Sequence, residues 1–183
     1  ETTLYFRIPS FNHQFKKNID NVLNENREQL LKTKNLIIDI RNNGGGSDAS
    51  YSSIIQYLYT NPIRTVGLEF LSTKLNNSRM LEFINNPEYG FDDNEKKWAK
   101  NAYDKLESKL GEFVNLNQYM SSVYKKDTVF PFPKSVGIII NEANGSTTEQ
   151  FLLEAKQSKK VKLFGVTTYG VLDISNMHSV ESP

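Results

Sequence analysis

An α/β fold built on a largely parallel sheet is the class this sequence predicts, on three observations. The apolar runs Leu36–Ile40 and Val136–Ile140 lack the in–out alternation of half-exposed strands, as expected for strands in a covered parallel sheet. Segments with helical apolar spacing alternate with such runs along the chain. Both of these strands run into turn-forming clusters, Asn42–Gly46 and Asn141–Gly145, that open directly into helical patterns.

Leu4–Ile8 is a strand-like run closed by Pro9. Ser10 or Asn12 then offers a cap, and Phe15, Ile19, Val22, Leu23 and Leu30 predict an amphipathic helix over residues 12–32. Leu36–Ile40 is the second strand. Tyr51, Ile54, Ile55 and Leu58 have helical spacing, and Asn61-Pro62 stops that helix. Thr65–Leu71 is the third strand. Residues 73–130 change character: Asn, Lys, Glu and Tyr dominate and strand signals are absent. There Trp98, Ala102, Leu106, Leu110 and Phe113, with Asp92 or Asn94 as cap, predict a helix over 93–114. The segment reads as a helical excursion, either a cover or oligomer contact, or the wall or lid of a substrate cleft. Val136–Ile140 is the fourth strand, 147–158 the next helix and Val161–Phe164 the fifth strand. A turn-rich loop, Gly165–Gly170, follows, and Val171–Ile174 begins a further strand. With no repeat, low-complexity tract or flexible linker, residues 1–183 read as a single domain carrying the 73–130 excursion.

Composition excludes several functions. The 22 basic residues nearly balance the 21 acidic ones, which argues against a general nucleic-acid binder. No apolar run approaches the roughly 20 residues of a membrane-spanning helix. The absence of cysteine removes disulfides, thiolate metal sites and a cysteine nucleophile. His13 and His178 form no metal-ligand spacing, and nothing calls for a cofactor. An Asn/Lys/Ile-rich composition is compatible with an AT-rich bacterial genome.

The chemistry concentrates at two strand-to-helix turns. Gly44–Gly46 presents backbone N–H groups that can hold an anion or an oxyanion, without the signature of a P-loop or a dinucleotide-binding loop. Read alone, it is equally a tight turn that only glycine fits. Ser146 stands where the fourth strand turns into a helix, and Ser146-Thr-Thr-Glu149 is a capping box. A hydroxyl at that place also lies at the positive end of a helix, with the Thr147 N–H beside it. On neighbouring strands, an N–H from Gly45 or Gly46 and that of Thr147 would flank one site, as acyl transfer requires.

Four segments in order resemble the C-terminal processing and tricorn-like serine peptidases. Leu4–Phe11 fits a Tyr-x-Arg-x-Pro-x-Phe start, and Asp39–Gly46 an Asp-x-Arg-x-Asn-x-Gly-Gly segment. Ile138–Glu149 is similar to the family's nucleophile strand and Ser-x-x-Glu turn, and Phe164–Gly170 to its Gly-x-x-Thr-x-Gly loop. The resemblance implies a ClpP/crotonase-like fold, Ser146 as nucleophile, and Gly45 with Thr147 as oxyanion donors. It also implies a peptide or protein substrate and an extracytoplasmic location.

The chain departs from the Ser–Lys branch of that family at Val171, where the lysine base would stand. Val171 therefore points to the His-dependent, tricorn-like branch, or to a protein without activity. In that branch the base comes from an upstream segment, so an upstream domain is expected and residues 1–183 alone are expected to be inactive. His13 and His178 read as surface residues, Lys156 and Lys159 as solvent-facing, and Tyr169 and Asp173 as residues that could line the site. Two other readings stay open: a non-catalytic peptide- or ligand-binding relative, and a crotonase-like acyl-CoA enzyme that would not need Ser146.

Overall fold

The computed structural model describes residues 3–117 and 119–173. In chain order it contains β1 (Thr3–Arg7), a 3-10 turn at His13–Phe15, α1 (Lys16–Glu25), α2 (Arg27–Leu30) and β2 (Asn35–Asp39). A 3-10 turn at Asp48–Ser50 leads to α3 (Ser52–Leu58), β3 (Ile63–Val66), β4 (Glu69–Leu71) and α4 (Lys74–Asn85). After a 3-10 turn at Pro87–Tyr89 come α5 (Asp93–Glu107), β5 (Phe113–Asn115), β6 (Ser121–Tyr124), β7 (Ser135–Ile140), α6 (Thr147–Ala155) and β8 (Val161–Gly165). The chain divides into two compact units, one formed by Thr65–Ser122 and one by the remainder.

The larger unit is organised on a parallel sheet in the order β1-β2-β7-β8. β2 is paired along its length with β1 and β7, Ile38 standing between Phe6 and Ile138. One face of the sheet is closed by helices. Leu36, Ile38, Val136 and Ile138 are buried with Ile19 and Leu23 of α1, Ile54, Ile55 and Leu58 of α3, and Phe151, Leu152 and Ala155 of α6. Phe11, Tyr51 and Phe151 meet edge-on or tilted, with ring centroids 5.5–5.7 Å apart, the arrangement aromatic quadrupoles favour. The run of apolar residues suggests two covered faces. Among the described residues the second face, bearing Ile37, Gly137, Ile139 and Phe164, instead borders an open cavity of about 680 Å³.

The expected helix over 12–32 is broken. Asn26 lies at φ −103°, ψ 13°, its amide donating to Val22 O, and α2 is a separate turn. The expected third strand is also divided. β3 pairs with β6 and β4 with β5 in two small sheets, with Gly67 at the break, so neither belongs to the main sheet. Val171–Asp173 is turn rather than strand, and Ile174 lies outside the described residues.

The smaller unit holds α4, α5, β4 and β5. Its core is Met80, Ala102, Leu106 and Val114. α5 begins with the expected Asp92 cap, whose carboxylate accepts from the amides of Asn94 and Glu95 while Glu95 accepts the Asp92 N–H, a complete capping box. It ends at Glu107, well before residue 114. Its buried residues are Ala99, Ala102 and Leu106, whereas Trp98, Leu110 and Phe113 are exposed. α4 carries no apolar stripe in sequence because it buries Asn77 together with Met80. Asn77 Nδ2 donates to Ser72 Oγ and Glu107 Oε1, which satisfies the buried amide.

Candidate active site

In a parallel sheet the loops beyond the strand carboxyl ends lie side by side, and open α/β folds place their ligands there. Three such loops meet in the larger unit: the glycine loop after β2, the turn after β7, and the loop after β8.

Asparagines lace them together. Asn43 is fully buried. Its Oδ1 accepts from the amides of Phe11 and Gly45 and from the hydroxyl of Thr148, and its Nδ2 donates to Ile8 O. Asn144, equally buried, donates through Nδ2 to Ile40 O and Asn43 O and accepts the Asn141 amide. Asn42, in the left-handed region at φ 65°, exchanges two hydrogen bonds with Asn141. The third loop joins through Tyr169 N–H, which donates to Asn144 O at 2.8 Å. Each buried amide group is thus matched, as burial of polar groups demands.

This lacing presses the glycine loop against the Ser146 turn. A Cβ on Gly45 would stand 2.9 Å from Ser146 Cβ and from Gly145 O, and 3.1 Å from Thr147 N. On Gly46 it would fall 2.2 Å from the carbonyl carbon of Phe11. Both positions therefore exclude side chains, whereas Gly44 has open space around it. The approach on which the sequence reading depended, between Gly45, Ser146 and Thr147, is present.

Ser146 has φ 53° and ψ −127°, a backbone state that costs a non-glycine residue about 1–3 kcal/mol. It is half-exposed, with Asn144, Gly145, Thr147, Thr148 and Glu149 buried around it. The capping box is formed. Its firm half is the Ser146 N–H donating to Glu149 Oε2 at 3.2 Å. The Glu149 amide donates at 2.8 Å to the Ser146 carbonyl, which leaves the hydroxyl outside any direct side-chain cap bond. α6 begins immediately afterwards, so the hydroxyl stands at its positive end.

The amides around Ser146 differ in whether they are already bonded. Gly45 N–H is committed to Asn43 Oδ1 at 3.1 Å. Gly46 N–H and Thr147 N–H have no acceptor among the described residues. The Thr147 hydroxyl donates to Gly46 O at 3.0 Å, tying the two positions together. Gly45 thus supplies the close approach, and Gly46 the available donor.

Glu149 fixes the third loop. Its carboxylate accepts from the Thr168 hydroxyl at 2.6 Å and the amides of Gly170 and Val171 at 2.7 and 2.8 Å. Burial opposes the charge, but these four donors, Ser146 included, outweigh it and hold the carboxyl below its ordinary pKa. Val171 is thereby set against the Ser146 turn, its Cγ2 2.9 Å from where a Gly145 Cβ would be. Further back, Asp39 is fully buried and paired with Arg41 at 2.7 Å and Arg7 at 3.1 Å. The Arg41 hydrogen bonds hold its carboxyl far below the ordinary range, against the opposing effect of burial.

His13 is exposed on its 3-10 turn, and Lys156 and Lys159 are solvent-facing. Tyr169 touches the site through its backbone and Cβ, its side chain being largely exposed. No contact of Asp173 with the Ser146 turn is seen, and His178 lies outside the described residues. No group of three or more His, Asp or Glu residues among the described residues is placed to hold a metal. The parts not anticipated from sequence are Asn43, Asn144 and Thr148. Their signal was the asparagines that follow the ends of both β2 and β7.

A parallel sheet whose strand-end loops bring a glycine-rich backbone against a strained serine at a helix N-terminus defines an α/β protein with a candidate active site at its strand ends. The sequence matches peptidase family S41 over residues 2–182, and the chain belongs to that family. Its fold is similar to that of mature CPAF in complex with lactacystin, with a TM-score of 0.64 and 16% identity over 99% of this chain and 40% of that one. It is also similar to a candidate peptidase from Parabacteroides merdae ATCC 43184, with a TM-score of 0.53 and 16% identity over 92% of this chain and 41% of that one. The chain thus spans about 40% of the length of these two structures. No curated protein matches the sequence.

Proposed function

We propose that these residues are the catalytic core of a serine peptidase of the His-dependent, tricorn-like branch, on a ClpP/crotonase-like fold. The observation that carries the reading is the strained, accessible Ser146 held against Gly45 at the head of α6. Serine attacks the peptide carbonyl carbon, and the amides of Gly46 and Thr147 take the negative charge that develops on its oxygen. The adduct collapses with cleavage of the C–N bond, the amine leaving with the proton that the base took from Ser146, and water then hydrolyses the acyl-enzyme to free the carboxylate and restore the Ser146 hydroxyl. Both donors are preorganised, so no reorganisation opposes the developing charge.

A serine hydroxyl requires a base to attack at neutral pH. Val171 occupies the place of a lysine and His13 is exposed, so the base is assigned to a segment of the polypeptide beyond residues 1–183. An upstream domain of the same polypeptide, peptide or protein substrates, and an extracytoplasmic location go with this reading. The experiment is turnover of unstructured peptides by the full-length polypeptide. Hydrolysis that disappears in Ser146→Ala supports the assignment, and hydrolysis that survives it removes Ser146 as nucleophile. Val171 also favours a second reading, a peptide-binding relative without turnover. Tight peptide binding by a full-length protein that never hydrolyses its ligand would establish that one.

A further inference from the structure

The face of the main sheet turned away from α1, α3 and α6 is apolar and open among the described residues. Along β2 and β7, Ile37 and Ile139 alternate with the buried Ile38 and Ile138, so each strand is apolar on both sides. Phe164 of β8 lies over this face. A Cβ on Gly137 would stand 3.2 Å from Phe164 Cε2, so a side chain there would push the ring off the sheet. The ring itself is 55% exposed. These residues floor the 680 Å³ cavity. Parallel sheets are as a rule covered on both faces, and a contiguous exposed apolar patch marks a docking surface.

The rim carries one sign of charge. Lys134, Lys159, Lys160 and Lys162 line the cavity, and no aspartate or glutamate does. None of the four makes an ion pair among the described residues. Lys160 Nζ donates to a backbone carbonyl, Phe130 O, at 3.3 Å, and burial pushes its ammonium below the usual pKa. Lys134 precedes β7, and Lys159 and Lys160 precede β8. The charge therefore gathers at the amino ends of the strands, opposite the carboxyl ends that hold Ser146.

An occupant suited to both features is apolar with acidic flanks. Four strands about 4.8 Å apart span about 14 Å, room for one helix of about 10–12 Å. A second copy is a poor fit, because a two-fold interface through this face would set one lysine rim against the other. The chain spans about 40% of the length of the two solved structures described above, and a helix tethered in the same polypeptide docks at high effective concentration. We propose that this face docks an amphipathic helix of the same polypeptide from beyond residues 1–183, its apolar stripe on Ile37, Ile139 and Phe164 and its Asp and Glu residues against Lys134, Lys159, Lys160 and Lys162. The inference shares with the peptidase reading only a polypeptide longer than these residues, and it does not depend on the chemistry of Ser146.

The test is carbodiimide cross-linking of the full-length polypeptide, mixed as light and heavy isotope forms and mapped by peptide mass. Amides joining Lys159 or Lys162 to Asp or Glu outside residues 1–183, within one isotope form, are expected. The four lysines are also expected to acetylate about tenfold more slowly than the exposed Lys156. In the Lys159→Glu/Lys162→Glu double variant, Lys134 and Lys160 should acetylate as fast as Lys156. Cross-links only between isotope forms would assign the face to a second copy and overturn the proposal. Acetylation of all four lysines at the Lys156 rate would show an open face and overturn it too. Protection without such a cross-link, as a bound anionic amphiphile would give, or protection of Lys134 and Lys160 that survives the double variant, has the same consequence.

Discussion

Asn43 Oδ1 and the Thr148 hydroxyl are hydrogen-bonded at 2.8 Å across 105 residues of sequence. This one contact ties the glycine loop to the first turn of α6, and the same oxygen holds the amides of Phe11 and Gly45. Asn43→Ala strands the buried Gly45 amide and the Ile8 carbonyl, whereas Phe11 N–H keeps Gly45 O and the Thr148 hydroxyl keeps Asn43 O. It is expected to cost about 2–4 kcal/mol, since each unsatisfied buried group costs about 1–3 kcal/mol. Urea denaturation checks the value, and a loss below about 1 kcal/mol would show that water or relaxation replaces the side chain.

The three glycines of the loop are expected to behave differently. A Cβ on Gly44 meets nothing within 4 Å, and Gly44→Ala should stay within about 0.5 kcal/mol of the parent. Gly46 has φ +145° and a Cβ there would lie 2.2 Å from the Phe11 carbonyl carbon, so Gly46→Ala must displace the chain there and is expected to lose more than about 3 kcal/mol. Thermal unfolding of the two variants side by side reads the difference.

Ser146 holds a backbone conformation that glycine adopts at lower cost. Ser146→Gly is therefore expected to be more stable than Ser146→Ala by about 1 kcal/mol, because alanine keeps the strain and loses the hydroxyl. Equal stability of the two variants would mean that the turn relaxes when the hydroxyl is removed. The comparison is made by denaturant midpoints under identical conditions.

Acid should loosen the third loop through Glu149. Its folded pKa lies below its ordinary 4.5, so its contribution to stability is complete above that value and is lost as pH falls through the lowered one. Glu149→Gln is expected to be less stable than the parent by about 2–3 kcal/mol at pH 6, with the two stability curves converging as pH falls through the lowered value. Parallel curves over that range would show that the carboxylate charge is not what holds Thr168, Gly170 and Val171. Asp39 acts in the same direction at still lower pH, its carboxyl being held further down by Arg41.

The main sheet was legible because strands such as Leu36–Ile40 and Val136–Ile140 are apolar and end in turn residues whose placement has few solutions. The approach of Gly45 to Ser146 followed from adjacency of their strands. What sequence hid was held by polar groups. α4 buries Asn77 rather than an apolar stripe, and Asn43 and Asn144, which read as ordinary loop residues, organise the site through amide hydrogen bonds. The helix expected over 93–114 failed at its end. Leu110 and Phe113 continued the spacing, but the chain turns at Gly111 with φ 87° and enters β5. Periodicity cannot distinguish a residue buried by a helix from one exposed beyond its last turn. Spacing also does not reveal that Gly45 N–H is taken by Asn43 Oδ1 while Gly46 N–H has no acceptor among the described residues.

The central claim, that Ser146 is an activated nucleophile in the assembled protein, is tested most directly by fluorophosphonate labelling of the full-length polypeptide followed by peptide mapping. A single modified residue, Ser146, is expected, with labelling abolished in Ser146→Ala. A folded full-length protein that takes up no label, or takes it up undiminished in Ser146→Ala, would contradict it.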